Sequence, residues 1–178
     1  MLHKPVGVVS TLKDPQGRPT VRDLLRGVRE RVFPVGRLDY ASSGLLLLTN
    51  DGELTESLLH PRYRLPRTYH AKVSGVPTPE ALQALRGGVR LEDGTTAAPA
   101  TVRTLRVNER KAWLEITLYE GRNREVRRMC EAVGYPVEKL VRMRFGPLVL
   151  EDLPVGAYRP LTPVEIHALK RLCRTAEH

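Results

Sequence analysis

Gly36-Arg37-Leu38-Asp39-Tyr40-Ala41-Ser42-Ser43-Gly44-Leu45-Leu46-Leu47-Leu48-Thr49-Asn50-Asp51-Gly52 is the stretch on which the reading of this chain turns. Its first half is polar with glycine at both ends. Its second half is an apolar run stopped by Asn50-Asp51-Gly52, which predicts a strand buried on both faces. Asp39 therefore sits in a loop feeding a buried strand, held by scaffold yet open to reagents. Loops of that kind concentrate catalytic groups. The glycines permit a sharp bend or a close backbone approach to a ligand. The competing reading is a turn aspartate bonded to its own backbone.

Outward from this stretch, strands and helices alternate. Leu2 to Ser10 looks extended apart from Pro5. Thr20 with Asp23 forms a capping box for a helix whose apolar face is Val21, Leu24, Leu25 and Val28. Val32 to Val35 is a short strand, and Glu53 to Leu59 a helix ended by Pro61. Thr68 to Ser74 alternates, with Tyr69, Ala71 and Val73 on one face. A helix opens at Thr78-Pro79-Glu80 and ends at Gly87-Gly88. Thr101 to Val107 and Lys111 to Tyr119 are strands about a turn, with Leu114, Ile116 and Leu118 buried. Val137 to Phe145 is extended, and Thr162-Pro163-Val164-Glu165 caps a last helix. Hairpins among these alternations predict an α+β fold with a mixed sheet rather than a parallel one. The 178 residues suit a single domain, 1–178, of two packed lobes near 1–66 and 67–178.

Composition narrows the partner. The net charge is +9, and 23 of the 29 basic residues are arginine, whose planar fork suits phosphate and stacks on bases. That balance favours a nucleic-acid partner, and the alternative is arginine usage alone. Residues 121–144 hold seven Lys or Arg and three Glu. A helix there would put Arg124, Arg127 and Arg128 on one face and Val126, Met129, Cys130 and Val133 on the other. Such a ridge suits phosphate, and Glu125 cannot neutralise three arginines. Aromatics are only 5%, too few for rows of stacking residues. Cys130 and Cys173 are not paired closely, and the five histidines show no ligand spacing, so neither a disulfide framework nor a zinc site is expected. No apolar run reaches membrane-span length and no signal peptide is evident, which points to a cytoplasmic protein.

Together, Lys4-Pro5-Val6-Gly7, the 36–52 stretch, Glu120-Gly121-Arg122-Asn123-Arg124-Glu125-Val126-Arg127-Arg128-Met129, Leu140-Val141-Arg142 and Gly156-Ala157-Tyr158-Arg159-Pro160-Leu161 resemble the RsuA/RluB/RluE/RluF group of pseudouridine synthases. The resemblance covers almost the whole chain. It implies the fold of that catalytic domain, a largely antiparallel mixed sheet flanked by helices with an RNA-binding cleft. It implies isomerisation of a specific uridine in ribosomal RNA, 23S before 16S, by a monomer needing neither cofactor nor metal. Asp39 matches the family's catalytic aspartate, Tyr69 the tyrosine that stacks on the target base, and Arg127 the basic partner of the aspartate. Leu140 matches an apolar residue packed under that pair. Arg37 matches the arginine that enters the helix as the nucleotide leaves. Lys4, Arg122, Arg124, Arg128 and Arg142 are expected on RNA. Most of the group carries a small N-terminal RNA-binding domain; here the chain begins inside the first catalytic motif, which with residues 73–89 leans towards the RluE type. The rival reading is a non-catalytic ribosome-assembly protein that binds ribosomal RNA.

Overall fold

A computed structural model describes residues 1–174. In chain order the elements are β1 (Leu2–Lys4), a 3-10 turn (Val21–Leu24), β2 (Phe33–Pro34), β3 (Ser43–Leu46), β4 (Leu48–Thr49), α1 (Gly52–Leu59) and a second 3-10 turn (Pro61–Tyr63). There follow β5 (Arg67–Ser74), α2 (Pro79–Gly87), β6 (Thr101–Val107), β7 (Lys111–Leu118), α3 (Glu125–Ala132), β8 (Val137–Phe145), β9 (Leu148–Val149) and α4 (Pro163–Arg174). The fold is α+β, its sheet mixed and mostly antiparallel.

The chain divides into two units, Met1–Leu65 with Arg142 onward, and Pro66–Val141. The second lobe does not run on to the C-terminus: it ends within β8, and the last stretch belongs with the first unit.

In the first unit β1 pairs antiparallel with β3, Leu2 opposite Leu46 and Lys4 opposite Gly44, and β3 neighbours the later part of β8. All four residues of β3 are buried, as an apolar run between turn signals predicts. The leucine run is nevertheless not one strand. It breaks at Leu47, after which β4 pairs with β2 in a separate two-stranded sheet. The N-terminal strand is also shorter than expected, ending at Lys4 before Pro5, which has no amide proton for a ladder. The helix expected after Thr20 is a single 3-10 turn; the Thr20 amide donates to Asp23 Oδ2 at 2.8 Å, but Gly27 at φ 89 forbids continuation to Val28. Asp51 caps α1 by accepting from the Leu54 amide at 2.9 Å. Thr162 and Glu165 exchange the two bonds of a capping box, 2.8 and 3.2 Å, at the start of α4, whose Leu169 is buried. Helices α1 and α4 pack on each other.

In the second unit the strands run in the order β8-β5-β7-β6, with β8 contributing its first residues. Strand β7 alternates strictly. Ala112, Leu114, Ile116 and Leu118 face a core shared with Ala71, Val73, Val102, Leu85 of α2 and Val126, Met129 and Cys130 of α3. Burying each large aliphatic side chain contributes about 1.5–3 kcal/mol, so this face holds α2 and α3 on the sheet. Cys130 is buried there, and burial pushes its thiol up to about 12; Cys173 is half-buried.

Candidate active site

Asp39 owes its position to the loop that joins β2 to β3. The Val35 amide donates to Leu47 O at 2.8 Å, Gly36 turns the chain at φ 71, and Leu38 buries its side chain. Asp39 itself is half-buried, and Arg37 is exposed. The Ser42 amide closes a turn on Asp39 O at 3.0 Å. Two residues of the segment after β1 grip this loop. The Gly7 amide donates to Tyr40 O at 2.8 Å, and the Ser10 hydroxyl accepts from the Leu38 amide at 3.0 Å while donating to Leu38 O at 2.8 Å.

Lys4 is fully buried in the same unit. Its Nζ donates to Pro5 O and Val8 O, each at 2.7 Å. Burial lowers its ammonium to about 8, and the negative charge of Asp39 opposes that fall. At neutral pH the lysine thus remains a cation, buried in the unit that carries Asp39. Its expected role on RNA does not survive, because a side chain without solvent exposure cannot reach a phosphate. Arg142 is corrected for the same reason. It is 3% exposed, donates from Nε to Leu45 O at 2.8 Å, and lies 5.1 Å from the centre of the Phe145 ring.

The second unit carries the other expected residues. Tyr69 lies on β5 opposite Ile116, half-buried against the core that contains Leu140. Arg127 is half-buried on α3 and donates from Nη1 to Val137 O at 3.3 Å. The single basic face expected of residues 124–128 is not formed. Arg124 precedes α3 in a left-handed conformation, φ 49, so its side chain is outside the helical repeat. Arg128 is held by Glu92 at 2.9 Å and by Asp93, acids more than 30 residues upstream. Arg122 is exposed, but it spans Glu120 at 3.1 Å and Thr95 at 3.3 Å.

Glu125, expected to pair with the arginines, instead turns inward. It is 3% exposed, its Oε2 accepts from the Arg122 backbone amide at 3.1 Å, and its Oε1 is buried beside Glu120 without a hydrogen-bond partner among the described residues. Burial, with the adjoining Glu120, pushes Glu125 up to about 8, while Glu120 is lowered, first by its interaction with Glu125. Glu120 also accepts from the Ala98 amide at 2.8 Å, and Arg67 reaches Glu120 O at 3.2 Å. Ser10, Arg67 and the carboxyl pair are absent from the sequence expectations. Each acts through a partner distant in the chain, which no local pattern records.

Comparison with known proteins adds the chemistry. Residues 1–132 match the family model for RNA pseudouridylate synthase. The chain is 47% identical over 180 residues to "Ribosomal large subunit pseudouridine synthase B" of Bacillus subtilis (strain 168), covering all of this chain and 72% of that protein. It is 43% identical over 169 residues to the protein of that name from Pseudomonas aeruginosa, covering 94% of this chain but 44% of the longer relative. These relatives carry the B name, whereas the sequence leaned to the E type. A solved structure described as a pseudouridylate synthase superposes with TM-score 0.83 at 31% identity, over 94% of this chain and 71% of that one. With the family model matching well over half of its length, this chain belongs to the RNA pseudouridylate synthases, the enzymes that isomerise uridine in RNA.

Proposed function

We propose that the chain isomerises a specific uridine of ribosomal RNA, in the large subunit, in the cytoplasm, with Asp39 as its nucleophile. The ribosomal assignment draws on the names of the relatives from Bacillus subtilis and Pseudomonas aeruginosa. The catalytic assignment is carried by one observation: Asp39 is partly open while its loop is bonded at both neighbouring residues, with a buried cation in the same unit.

The reacting uridine is first flipped from its stack, at a cost of a few kcal/mol. Exposed Arg37 is suited to enter the vacated space and offset part of that cost by stacking. Asp39 attacks the ribose or the uracil ring as the bond from N1 to the sugar breaks. The uracil turns and bonds to the sugar through carbon 5, which gives up its proton as N1 gains one. Tyr69 stacks on the base and assists that proton's removal, Arg127 pairs with the aspartate, and Leu140 packs beneath. No atom is gained or lost, so the reaction calls for no co-substrate. A non-catalytic assembly factor is not favoured, since the relatives are named as synthases.

Asp39→Asn should abolish tritium release from carbon 5 of uracil in ribosomal RNA, by more than about 1,000-fold, while RNA binding survives. Full activity in that variant would end the reading. Arg127→Ala should slow the rate far more than it weakens affinity; a pure affinity loss counts against the pairing.

A further inference from the structure

We propose that Ser10 is a positioning residue for Asp39, orienting its carboxylate by fixing the peptide that enters it. The proposal rests on Asp39 being the nucleophile. Ser10 and Leu38 are 28 residues apart, yet the serine hydroxyl accepts from the Leu38 amide at 3.0 Å and donates to the Leu38 carbonyl at 2.8 Å. A hydroxyl has one proton and two lone pairs, so one side chain can hold both polar groups of a single residue. The Leu38 carbonyl belongs to the peptide plane that ends at the Asp39 nitrogen. Ser10 therefore sets the plane on the near side of Asp39.

The far side is held separately. The Asp39 carbonyl accepts from the Ser42 amide at 3.0 Å, and the Tyr40 carbonyl accepts from the Gly7 amide at 2.8 Å. With Leu38 buried, the backbone around Asp39 is fixed in both directions.

Ser10 can serve as such a template because its own segment is tied down. The Val9 amide donates to Pro19 O at 2.9 Å, the Val21 amide donates to Val9 O at 3.1 Å, and Lys4 Nζ holds Val8 O at 2.7 Å. Loss of the hydroxyl leaves that segment intact and frees one peptide plane at the nucleophile. Displacement of a reacting group by about 1 Å can cost on the order of 100-fold in rate, whereas RNA affinity does not depend on this bond.

The test is single-turnover carbon-5 tritium release at saturating ribosomal RNA, with RNA affinity and thermal unfolding measured on the same proteins. Ser10→Ala should lower the maximal rate by roughly 10- to 100-fold, with affinity within about twofold of wild type. Ser10→Thr, which keeps the hydroxyl, should recover most of the rate. An unchanged rate in Ser10→Ala overturns the proposal, as does a loss confined to affinity or to the folded fraction. If Ser10→Ala does not fold, Ser10→Cys keeps the volume with a weaker donor; a rate equal to wild type then overturns the proposal, and a lowered rate supports it. Asp39→Asn in the same assay separates the two levels. Activity in that variant removes the underlying reading, whereas an inactive Asp39→Asn beside a fully active Ser10→Ala removes only the role of Ser10.

Discussion

Gly44 is the residue at which the sequence named the right position for the wrong reason. Glycine beside a catalytic loop suggests room for a ligand. In the structure a Cβ at Gly44 would lie 2.3 Å from Arg142 O and 2.4 Å from Arg142 N, and its φ is +117. The close approach is to the protein's own backbone. Gly44→Ala would have to part β3 from the later part of β8 and disturb the bond from Arg142 Nε to Leu45 O. A loss of about 2–4 kcal/mol is expected. At about 2–4 °C per kcal/mol for a chain of this length, calorimetry should show a clear fall in Tm; an unchanged Tm would show that the strands yield. The loop position of Asp39 was legible because a polar loop before an apolar run is a local pattern. Lys4 and Arg142 were legible as important yet misread as RNA contacts, because burial depends on what the rest of the chain lays over them.

Helix α3 shows the same division one level up. Its apolar stripe, Val126, Met129 and Cys130, is periodic and was read correctly. Its polar face was not, since Glu92 and Asp93 come from the turn after α2 and Glu120 from the preceding loop. The carboxyl pair makes the helix N-terminus sensitive to pH. Glu125 is raised to about 8 in the folded chain by burial and by Glu120, against an ordinary value of 4.5. Between these values the folded protein holds a proton that the unfolded chain releases. Its contribution to stability is complete below about pH 4.5 and is lost as pH rises through about 8. The positive groups near the pair, Arg122 beside Glu120 and Arg67 at Glu120 O and Gly121, lessen the loss without removing it. Glu125→Gln fixes the neutral form. Its Tm should match or lie slightly below wild type below about pH 4.5 and exceed it by a growing margin from pH 6 to 9, about 2–4 °C for each kcal/mol recovered. Parallel Tm curves for the two proteins from pH 6 to 9 would mean that Glu125 is already ionised at neutral pH.

At the scale of the whole chain, charge and continuity pull against each other as guides. Continuity misled: nothing in Val137–Phe145 interrupts the strand, so no glycine or proline marks the place where the second unit hands the chain back to the first. Charge was informative in sum but not in detail. The net charge of +9 fits an RNA partner, yet Lys4 and Arg142 face inward and Arg128 is engaged by two acids. The logarithm of RNA affinity should fall linearly with the logarithm of salt, with a slope of about 0.7–0.9 for each phosphate neutralised. That slope should count outward cations rather than total ones. Arg37 is exposed, so Arg37→Ala should shrink the slope by about one. Lys4→Gln removes the same charge from a fully buried site, where Nζ serves Pro5 O and Val8 O. It should lower Tm and leave the slope of the folded protein unchanged. Filter-binding isotherms over a salt series decide the matter: equal changes of slope in the two variants would mean that Lys4 reaches RNA after all, and that the first motif opens when substrate arrives.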